Sequence, residues 1–503
     1  MTAAPSFARE FIKKLQSAPR RRGELPSYNV ADTSEVDLLV SSSAPVQVML
    51  GTGVDIYTST LIPAILAARS EVILVTCFWA KSKTLSALSE ALGHLAEHRR
   101  TLIDRGEVVQ SLRMHICFSS RSLLQKLFHT SSRNGYAYPP SSWAKDLGLP
   151  SAQVFDAGRI ELQVKTLFFL PFSVMHPKYL IIDRQCAFVP SCNVSWEAWL
   201  EGCVEISGPA VVGLLDFFAR TWNKELGLLP PVSTGSLSLA ASPPPTEPIL
   251  SSVHHCHRFP SGMTPMVTVI LPSSHHRNPD FHPFPWQDAA RPPATPLNVA
   301  ILHLIDNAKQ SIFIQTPNLT CAPVISALLG ALSRGVDVAI VTSRNMMLLE
   351  QLVTAGTSTS WCIRSLTRRY RSMIHQVAGG TSARHGGRPI SDVARTADLE
   401  AQHPVPGQLH ISYFRPNLAS KSTVAKAHPS LLVAPEEPVH SHLKLTIVDG
   451  EYTVLGSGNM DRASWYTSQE LGVLFHSSRF ATVTMTAVVG ATEGRLSVVY
   501  EGP

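Results

Sequence analysis

The stretch Met175-His-Pro-Lys-Tyr-Leu-Ile-Ile-Asp183 recurs about half a chain later as Ser441-His-Leu-Lys-Leu-Thr-Ile-Val-Asp449. In both copies a histidine is followed two positions later by a lysine, then by an aspartate after four more residues. A Ser-x-Asn sequence closes each copy, as Ser191 to Asn193 and Ser457 to Asn459. A motif of this length, repeated with the same spacing, predicts a chain made of two related halves.

Apolar residues flank each His-x-Lys and predict that the motifs lie on strands. Residues i and i+2 of a strand share a face, so His176 and Lys178 should point into one space, as should His442 and Lys444. Asp449-Gly450 is a strong hairpin signal and Asp183 stands at the matching place. Both aspartates are therefore interpreted as structural residues that bond the turn or a nearby partner. The return strand should carry Ser457 and Asn459 back beside the histidine.

The two halves match outside the motif as well. Residues 61–76 align with 301–316, and each reads as an amphipathic helix that leads into a buried strand. A second helix and strand follow in both halves, at 84–98 with 112–119 and at 324–333 with 336–342. Residues 266–271 read as the first strand of the second half. Alternation of this kind is typical of a layered α/β fold.

Composition shifts give the predicted domain limits: a basic tail at 1–34, lobes at 35–229 and 266–503, a Pro/Ser/His-rich linker at 230–265 and a mobile insertion at about 376–407. In the tail, Phe7, Phe11, Ile12 and Leu15 fall at helical spacing beside basic residues. Such a helix can bind an anionic membrane, act as a transit peptide or dock on the protein. Glu10 and the shortness of the helix favour docking.

The 503 residues include 43 Lys and Arg against 37 Asp and Glu, a net charge of +6. This balance fits an anionic substrate or surface but is low for a dedicated nucleic-acid-binding protein. Eight cysteines without Cys-x-x-Cys pairs indicate reduced thiols of an intracellular protein. No apolar run approaches the length of a membrane-spanning helix. His254, His255 and His257 match no standard zinc spacing, so no metal or other cofactor is expected.

Phosphodiester cleavage without a metal needs a nucleophile, an acid for the leaving oxygen and donors for the phosphoryl oxygens. Two histidines that meet at a pseudo-two-fold axis can supply the first two, because imidazole is readily either neutral or protonated. Lys178 and Lys444 would neutralise the phosphate, with the Ser-x-Asn residues as further phosphate ligands. A nucleophilic histidine also needs an acceptor on its other ring nitrogen. Glu470 is the candidate in the second half, and Glu201 or Glu205 in the first, with Glu201 preferred.

These residues resemble the two HKD motifs of the phospholipase D superfamily, in which Asp183 and Asp449 complete the two motifs. The resemblance implies an α/β fold of two duplicated α/β/α lobes, each with a mixed central sheet, packed pseudo-symmetrically around one shared, metal-independent active site. It also implies that His176 or His442 is the nucleophile and the other the acid, with His176 preferred. The Gly456 to Ser464 segment is similar to a cardiolipin synthase pattern, although Arg462 stands one place early.

The resemblance implies a phospholipase D or cardiolipin synthase-like enzyme that transfers a phosphatidyl group to water or an alcohol through a phosphohistidine. Residues 168–172 are candidates for peripheral membrane contact, although core packing is favoured for them, and Phe281, Phe284 and Trp286 suit membrane contact or an ordinary loop equally. Arg364, Arg368, Arg369 and Arg371 are candidates for lipid or nucleic-acid contact, with a solvated basic helix face favoured. A nuclease or DNA-end-processing phosphodiesterase is the main alternative, and a non-enzymatic lipid-binding scaffold is a third. The expected location is cytoplasmic or peripheral on a membrane, with a mitochondrial destination left open by the basic N-terminus.

Overall fold

The computed structural model describes residues 6–17, 38–122, 125, 135–169, 173–222, 253–260, 264–273, 291–383, 405–417 and 437–502. The strands are β1 (Val40–Gly51), β2 (Glu71–Phe78), β3 (Leu112–Ser120), β4 (Tyr136–Ala137), β5 (Ile160–Thr166), β6 (Phe168–Phe169), β7 (Ser173–Val174), β8 (Tyr179–Ile182), β9 (Cys186–Pro190), β10 (Trp199–Ser207), β11 (His255–Arg258), β12 (Met266–Ser273), β13 (Ser311–Thr316), β14 (Asp337–Ser343), β15 (Leu409–Phe414), β16 (His440–Ser441), β17 (Leu445–Val448), β18 (Tyr452–Gly456), β19 (Glu470–His476) and β20 (Leu496–Glu501).

Helices cover the faces and ends of these strands. They are α1 (Ser6–Ser17), α2 (Gly53–Ile56 continued by a π-helical turn, Tyr57–Leu61, and by Ile62–Leu66), α3 (Lys83–Asp104), α4 (Trp143–Leu147), α5 (Ala152–Ala157), α6 (Ala210–Thr221), α7 (Pro296–Asn307), α8 (Ala322–Ser333), α9 (Leu348–Ala355), α10 (Thr359–Ala383), α11 (Arg462–Tyr466) and α12 (Ser478–Thr492). The predicted helix and strand pairs are present in both halves.

The strand order is the same in the two halves. In the first half it runs β5-β3-β2-β8-β9-β10-β1, and in the second β15-β14-β13-β17-β18-β19-β12. In each half the first three strands are parallel to one another and the remaining strands pair in antiparallel fashion, so the sheet is mixed as predicted. The α/β class expected from the sequence is confirmed.

The two sheets are joined, which the sequence did not predict. Val40 to Ser43 of β1 pair in antiparallel fashion with Val269 to Met266 of β12, so one sheet runs through both lobes. The helices cross the same boundary, because α6 of the first half packs on β12 and α12 of the second half packs on β1. One apolar cluster therefore includes Phe217 of α6 together with Phe475 and Phe480 of the second half. This shared core fixes the relative position of the two motifs.

Helix α1 docks on the second lobe. Phe7, Phe11 and Leu15 are buried there in a cluster with the apolar residues of α7. The ring of Phe7 lies 5.3 Å, between centroids, from that of His303 and at the same distance from that of Tyr452. The apolar face of this helix is therefore covered by protein, which supports docking over membrane binding for these residues.

Two segments read as linker or insertion contain regular structure. His255 to Arg258 form β11, which pairs with Leu50 to Gln47 of β1, because an extended segment beside an open strand edge gains backbone hydrogen bonds. Helix α10 continues through Ala383, into the segment predicted to be a mobile insertion. Phe281, Phe284 and Trp286, most of the predicted linker and residues 384–404 lie outside the described residues.

Phe168 and Phe169 are buried, which favours core packing over membrane contact for these two. All eight cysteines are free thiols. Within the described ranges, no group of three His, Cys, Asp or Glu side chains could hold a metal ion. No helix in that same part of the chain is both long and apolar enough to cross a bilayer.

Candidate active site

The two motifs meet at the sheet edge formed by the carboxyl ends of the parallel strands. Strand β8 is antiparallel to β2, with Tyr179 opposite Val75, so the residues just before β8 lie where β2 ends. In the second half, Leu445 lies opposite Gln315, next to the end of β13. His176 and His442 are consequently placed at the same edge, where loops leave room for a ligand.

Backbone pairing across the lobes brings each motif against the glutamate of the other half. The N–H of His176 donates to the carbonyl of Gln469 at 3.0 Å, and the N–H of His442 donates to that of Leu200 at 2.8 Å. Glu470 and Glu201 are the next residues after these two carbonyls. The pairing is reciprocal, which is the pattern expected of two halves related by a pseudo-two-fold axis.

Each imidazole is held by a carboxylate from the opposite lobe. Nδ1 of His176 lies 2.8 Å from Oε2 of Glu470, and Nδ1 of His442 lies 2.8 Å from Oε1 of Glu201. The two imidazole centroids are 6.5 Å apart with their planes at 86°. Glu205 is instead bonded to Gln47 at 2.7 Å, which places Glu201 rather than Glu205 at the site. A gap of this size between two rings suits a phosphoryl group.

The two histidines differ in solvent exposure and in the contacts of Nε2. The His176 side chain is 15% exposed and that of His442 is 3% exposed. Nε2 of His442 lies 2.7 Å from Nζ of Lys444, whereas Nε2 of His176 has no hydrogen-bond partner among the described residues. His442 also lies against the ring of Trp199, with centroids 4.7 Å apart. His176 is therefore the more accessible of the two imidazoles.

Both lysines are buried and point inward. Nζ of Lys178 donates to the carbonyl of His176 at 2.8 Å. Burial lowers the pKa of Lys444 to about 7, with Lys178 acting in the same direction and Glu201 opposing it. A phosphate oxygen bound beside this buried amine would favour its charged form and raise its pKa.

Burial also governs the pKa of each histidine. The pKa of His176 is lowered by burial, although the charge of Glu470 opposes the shift. That of His442 is lowered much further, first by burial and then by the positive charges of Lys444 and Lys178. Both imidazoles are therefore neutral near pH 7 in the free protein. A bound phosphate would offset the lysine charges and raise the pKa of His442.

The pKa values of the two glutamates are shifted in opposite directions. Burial raises the pKa of Glu201, with Lys444 and Ser191 opposing the shift. Burial acts in the same way on Glu470, but the charge and hydrogen bond of His176 outweigh it and lower the pKa of Glu470 overall. The Glu470–His176 pair is thus the better one for stabilising positive charge that develops on an attacking imidazole.

The two serines bond to the glutamates. The hydroxyl of Ser191 donates to Glu201 and accepts from the N–H of Gly202. In the same way, Ser457 donates to Glu470 and accepts from the N–H of Leu471. Their hydroxyls are thus occupied, which differs from the phosphate-binding role expected from the sequence. We assign them the positioning of the glutamates.

The two asparagines are not equivalent. Oδ1 of Asn193 accepts from the N–H of Phe78 at 3.2 Å, so its amide nitrogen is the group that can donate to a ligand. Nδ2 of Asn459 donates to Asp461 at 3.0 Å, and its Oδ1 is buried without a partner among the described residues. Asn193 therefore fits the expected donor role more directly than Asn459.

The motif aspartates hold the turn between the first helix and strand of each lobe. The carboxylate of Asp183 accepts from the N–H groups of Arg69, Ser70 and Glu71 at 2.7–3.2 Å. In the second lobe that of Asp449 accepts, at 2.8–3.2 Å, from the N–H groups of the corresponding residues 309–311. Neither is bonded to a motif histidine. The structural interpretation therefore fits them better than membership of the reacting group.

Sequence reasoning missed two residues at the site. Trp199 packs on His442, and Asp461 bonds Asn459 and caps α11 through the N–H of Ser464 at 2.8 Å. Trp199 lies two residues before Glu201, a spacing that places both near the cross-lobe strand pair. Asp461 could have been found as the start of a helix, since Asp is a favoured N-cap residue.

Residues 301–487 match the family model described as the cardiolipin synthase, PLD-like domain. The second lobe therefore carries a phospholipase D-like domain, and the resemblance to the phospholipase D superfamily is confirmed. The first lobe, outside this match, repeats its strand order and its motif. No curated protein sequence matches the chain.

Three solved structures are similar to the chain at low identity. Phosphatidylserine synthase from Haemophilus influenzae Rd KW20 is 12% identical, with 98% of this chain and 92% of that chain covered and a TM-score of 0.47. Nuc, a phospholipase D family member from Salmonella typhimurium, is 17% identical over 40% of this chain and 89% of that chain, with a TM-score of 0.23. Polyphosphate kinase from Porphyromonas gingivalis is 10% identical over 89% and 50%, with a TM-score of 0.40. These low values leave the functional conclusions to the site itself.

Proposed function

We propose that the protein is a metal-independent phosphodiesterase or phosphatidyltransferase that acts on phospholipids through a phosphohistidine. The observation that carries the proposal is the facing pair of imidazoles, each held at Nδ1 by a carboxylate from the other lobe. Two buried lysines lie beside them, and together these groups meet the needs of phosphoryl transfer without a metal.

In the first step, neutral His176 attacks phosphorus through Nε2 and the bond to the leaving alcohol breaks. The Nδ1 proton of His176 faces Glu470, whose negative charge stabilises the cationic imidazole that forms in the attack. The greater exposure of His176 and its unoccupied Nε2 support this assignment over the reverse one.

His442 is assigned the acid. Binding of the phosphate anion raises its pKa, because the charges that lower it come from Lys444, Lys178 and His176. The protonated imidazole then gives its Nε2 proton to the departing oxygen, so the leaving alcohol departs neutral. In the second step His442 takes a proton from water or an acceptor alcohol, which attacks phosphorus and frees His176.

Lys178, Lys444 and the amide of Asn193 are assigned to the non-bridging phosphoryl oxygens. The lysines are almost fully buried, so the charge interactions they make are screened less than those of surface groups. A fixed set of donors costs little reorganisation during the reaction.

The choice of a phospholipid rests on the second lobe, whose family model is described by the name of a phospholipid-metabolising enzyme. The test uses vesicles of labelled phosphatidylglycerol or phosphatidylcholine and, in parallel, labelled single-stranded DNA, both with EDTA. We expect lipid turnover that is lost in His176→Ala and in His442→Ala. Cleavage of DNA without lipid turnover would contradict the proposal and favour a nuclease.

Glu205→Gln provides a matched control, because Glu205 lies on the same strand as Glu201 but bonds Gln47 instead of a histidine. It should turn over lipid at a rate near that of the wild type. A loss equal to that of the histidine variants would mean that the assay reports damage to β10 rather than chemistry at the site.

A further inference from the structure

Helix α9 (Leu348–Ala355) exposes its apolar residues to solvent and buries a polar one, the reverse of the usual pattern for a surface helix. Its one buried residue is Gln351, at 3% exposure, while Leu349 and Val353 are 77% and 54% exposed. Leu348 and Leu352 are exposed as well. At 100° per residue these four side chains form one continuous apolar stripe, with Glu350 and Thr354 on the opposite side. A stripe of this kind is unfavourable in water unless something covers it.

The buried glutamine explains why the helix keeps this orientation. Oε1 of Gln351 accepts from the N–H and the hydroxyl of Thr359, and its Nε2 donates to the carbonyl of Met346 at 2.6 Å. Thr359 in turn accepts from the N–H of Leu319, which pairs with Met460 beside Asn459. These bonds hold the Gln351 side of α9 toward the protein. The apolar stripe is therefore a fixed outward surface.

The stripe lies at the same edge of the sheet as the candidate site. Ser343, the last residue of β14, donates its hydroxyl to the carbonyl of Ser441 and accepts from the N–H of Ser441. Ser441 immediately precedes His442. Leu348 follows Ser343 by only five residues, a reach of at most about 18 Å of extended chain. The start of α9 therefore lies near the candidate site, at the carboxyl edge of the sheet.

The chain next to the stripe is basic and carries an exposed tryptophan. Trp361, in the first turn of α10, is 61% exposed. Arg364 and Arg368 follow it at helical spacing on the same exposed side, and Arg344 is exposed just before α9. Between 344 and 376 the sequence has five arginines against one acidic residue, Glu350. Helix α9 is tied to the start of α10 by the bonds between Gln351 and Thr359. Apolar residues, an amphipathic ring and cations this close along the chain are typical of a surface that binds anionic lipid.

We propose that the exposed stripe of α9, with Trp361 and its neighbouring arginines, docks the protein on an anionic lipid surface and presents the site to lipid headgroups. This inference rests on the proposed function, since it assigns the surface on which a lipid substrate would be met. The apolar side chains would enter the headgroup boundary while the arginines would bind phosphate groups.

The experiment measures co-sedimentation with vesicles of phosphatidylcholine containing about one third phosphatidylglycerol. Leu349→Glu/Val353→Glu should bind more than about tenfold more weakly than the wild type, because two apolar anchors are lost and two negative charges are added. Val108→Glu is the matched control. Val108 is 85% exposed, but it precedes β3 and so lies at the opposite edge of the sheet.

Turnover of a short-chain phospholipid below its micellar concentration separates docking from chemistry. The double variant should act on this monomeric lipid at the wild-type rate and melt at the wild-type temperature. Wild-type vesicle binding by the double variant would overturn the docking proposal. A dimeric molar mass for the wild type and a monomeric one for the double variant would also overturn it, because a second copy would then cover the stripe. Failure of all proteins to act on monomeric lipid would contradict the proposed function, while vesicle binding would still decide the docking surface.

Discussion

Oε2 of Glu470 lies 2.8 Å from Nδ1 of His176, although 294 positions separate the two residues along the chain. Glu201 holds His442 in the same way from the other side. Neither half can therefore form a complete histidine–carboxylate pair from its own residues. Each half supplies one histidine and one glutamate, and the strand pairing between the lobes brings the glutamate of each half to the histidine of the other.

Because each glutamate serves a different histidine, substrates with different leaving groups should distinguish the roles of Glu201 and Glu470. Glu201→Gln should impair His442 as the acid. The turnover rate of this variant should therefore recover on a p-nitrophenyl phosphodiester, whose leaving group needs no proton. Glu470→Gln should weaken the nucleophile, His176, and remain slow on both substrates. General acid catalysis is worth about 10²–10⁴-fold, which sets the size of the recovery. Equal recovery in both variants would contradict the assignment of roles.

A pH profile of kcat/KM should be bell-shaped. It should fall as pH rises through about 7, because the pKa of Lys444 is lowered to about 7 by burial and the neutral amine no longer attracts phosphate. On the acid side the limb should lie below the ordinary histidine value, since burial lowers the pKa of His176 and keeps it a neutral nucleophile. In Lys444→Arg the guanidinium stays charged, so the part of the alkaline fall that comes from Lys444 should be lost, while the part that comes from deprotonation of the acid, His442, should remain. A limb unchanged in that variant would assign it to another group.

Asp183→Asn should reduce stability and leave the chemistry nearly intact. The carboxylate accepts from three backbone N–H groups, and a carboxamide cannot replace all of these bonds. We expect a loss of about 1–3 kcal/mol in the free energy of unfolding. Denaturant titration measures this loss, and kcat of the folded variant should stay within a few-fold. A large fall in kcat without a loss of stability would place Asp183 in the reacting group.

Phe11→Ala tests whether α1 is part of the folded core. Phe11 is fully buried against the second lobe, so its truncation should cost about 3–5 kcal/mol, or less where α1 undocks before the rest unfolds. Hydrogen exchange should show earlier opening of residues 6–17. Vesicle binding should stay unchanged, because this apolar face is covered by protein. Reduced vesicle binding at full stability would instead favour the membrane-binding reading of the tail.

Local patterns predicted the elements well. The repeat of helix and buried strand fixed the α/β class, and the Asp449-Gly450 hairpin is present with both residues in the left-handed region. Asp183 and Arg184 form the matching turn without glycine, also with positive φ. These features depend on short stretches of sequence, so their signals are local.

The relations between the lobes could not be read in this way. The β1–β12 junction, the crossing of α6 and α12 and the exchange of glutamates all join residues far apart in sequence. The hydroxyls of Ser191 and Ser457, which the sequence places at the phosphate, instead bond Glu201 and Glu470 of their own halves. The outward stripe of α9 depends on the hydrogen bonds that Gln351 makes with Thr359 and Met346, which the residue pattern of the helix does not reveal.

The most direct measurement traps the enzyme with phosphorus-labelled phospholipid, quenches it in alkali, where phosphohistidine survives, and locates the label by mass spectrometry. We predict label on His176 in the wild type with EDTA present, accumulation of that label in His442→Ala with an activated substrate, and none in His176→Ala. Turnover of lipid without any labelled histidine, or label that persists in His176→Ala, would contradict the account.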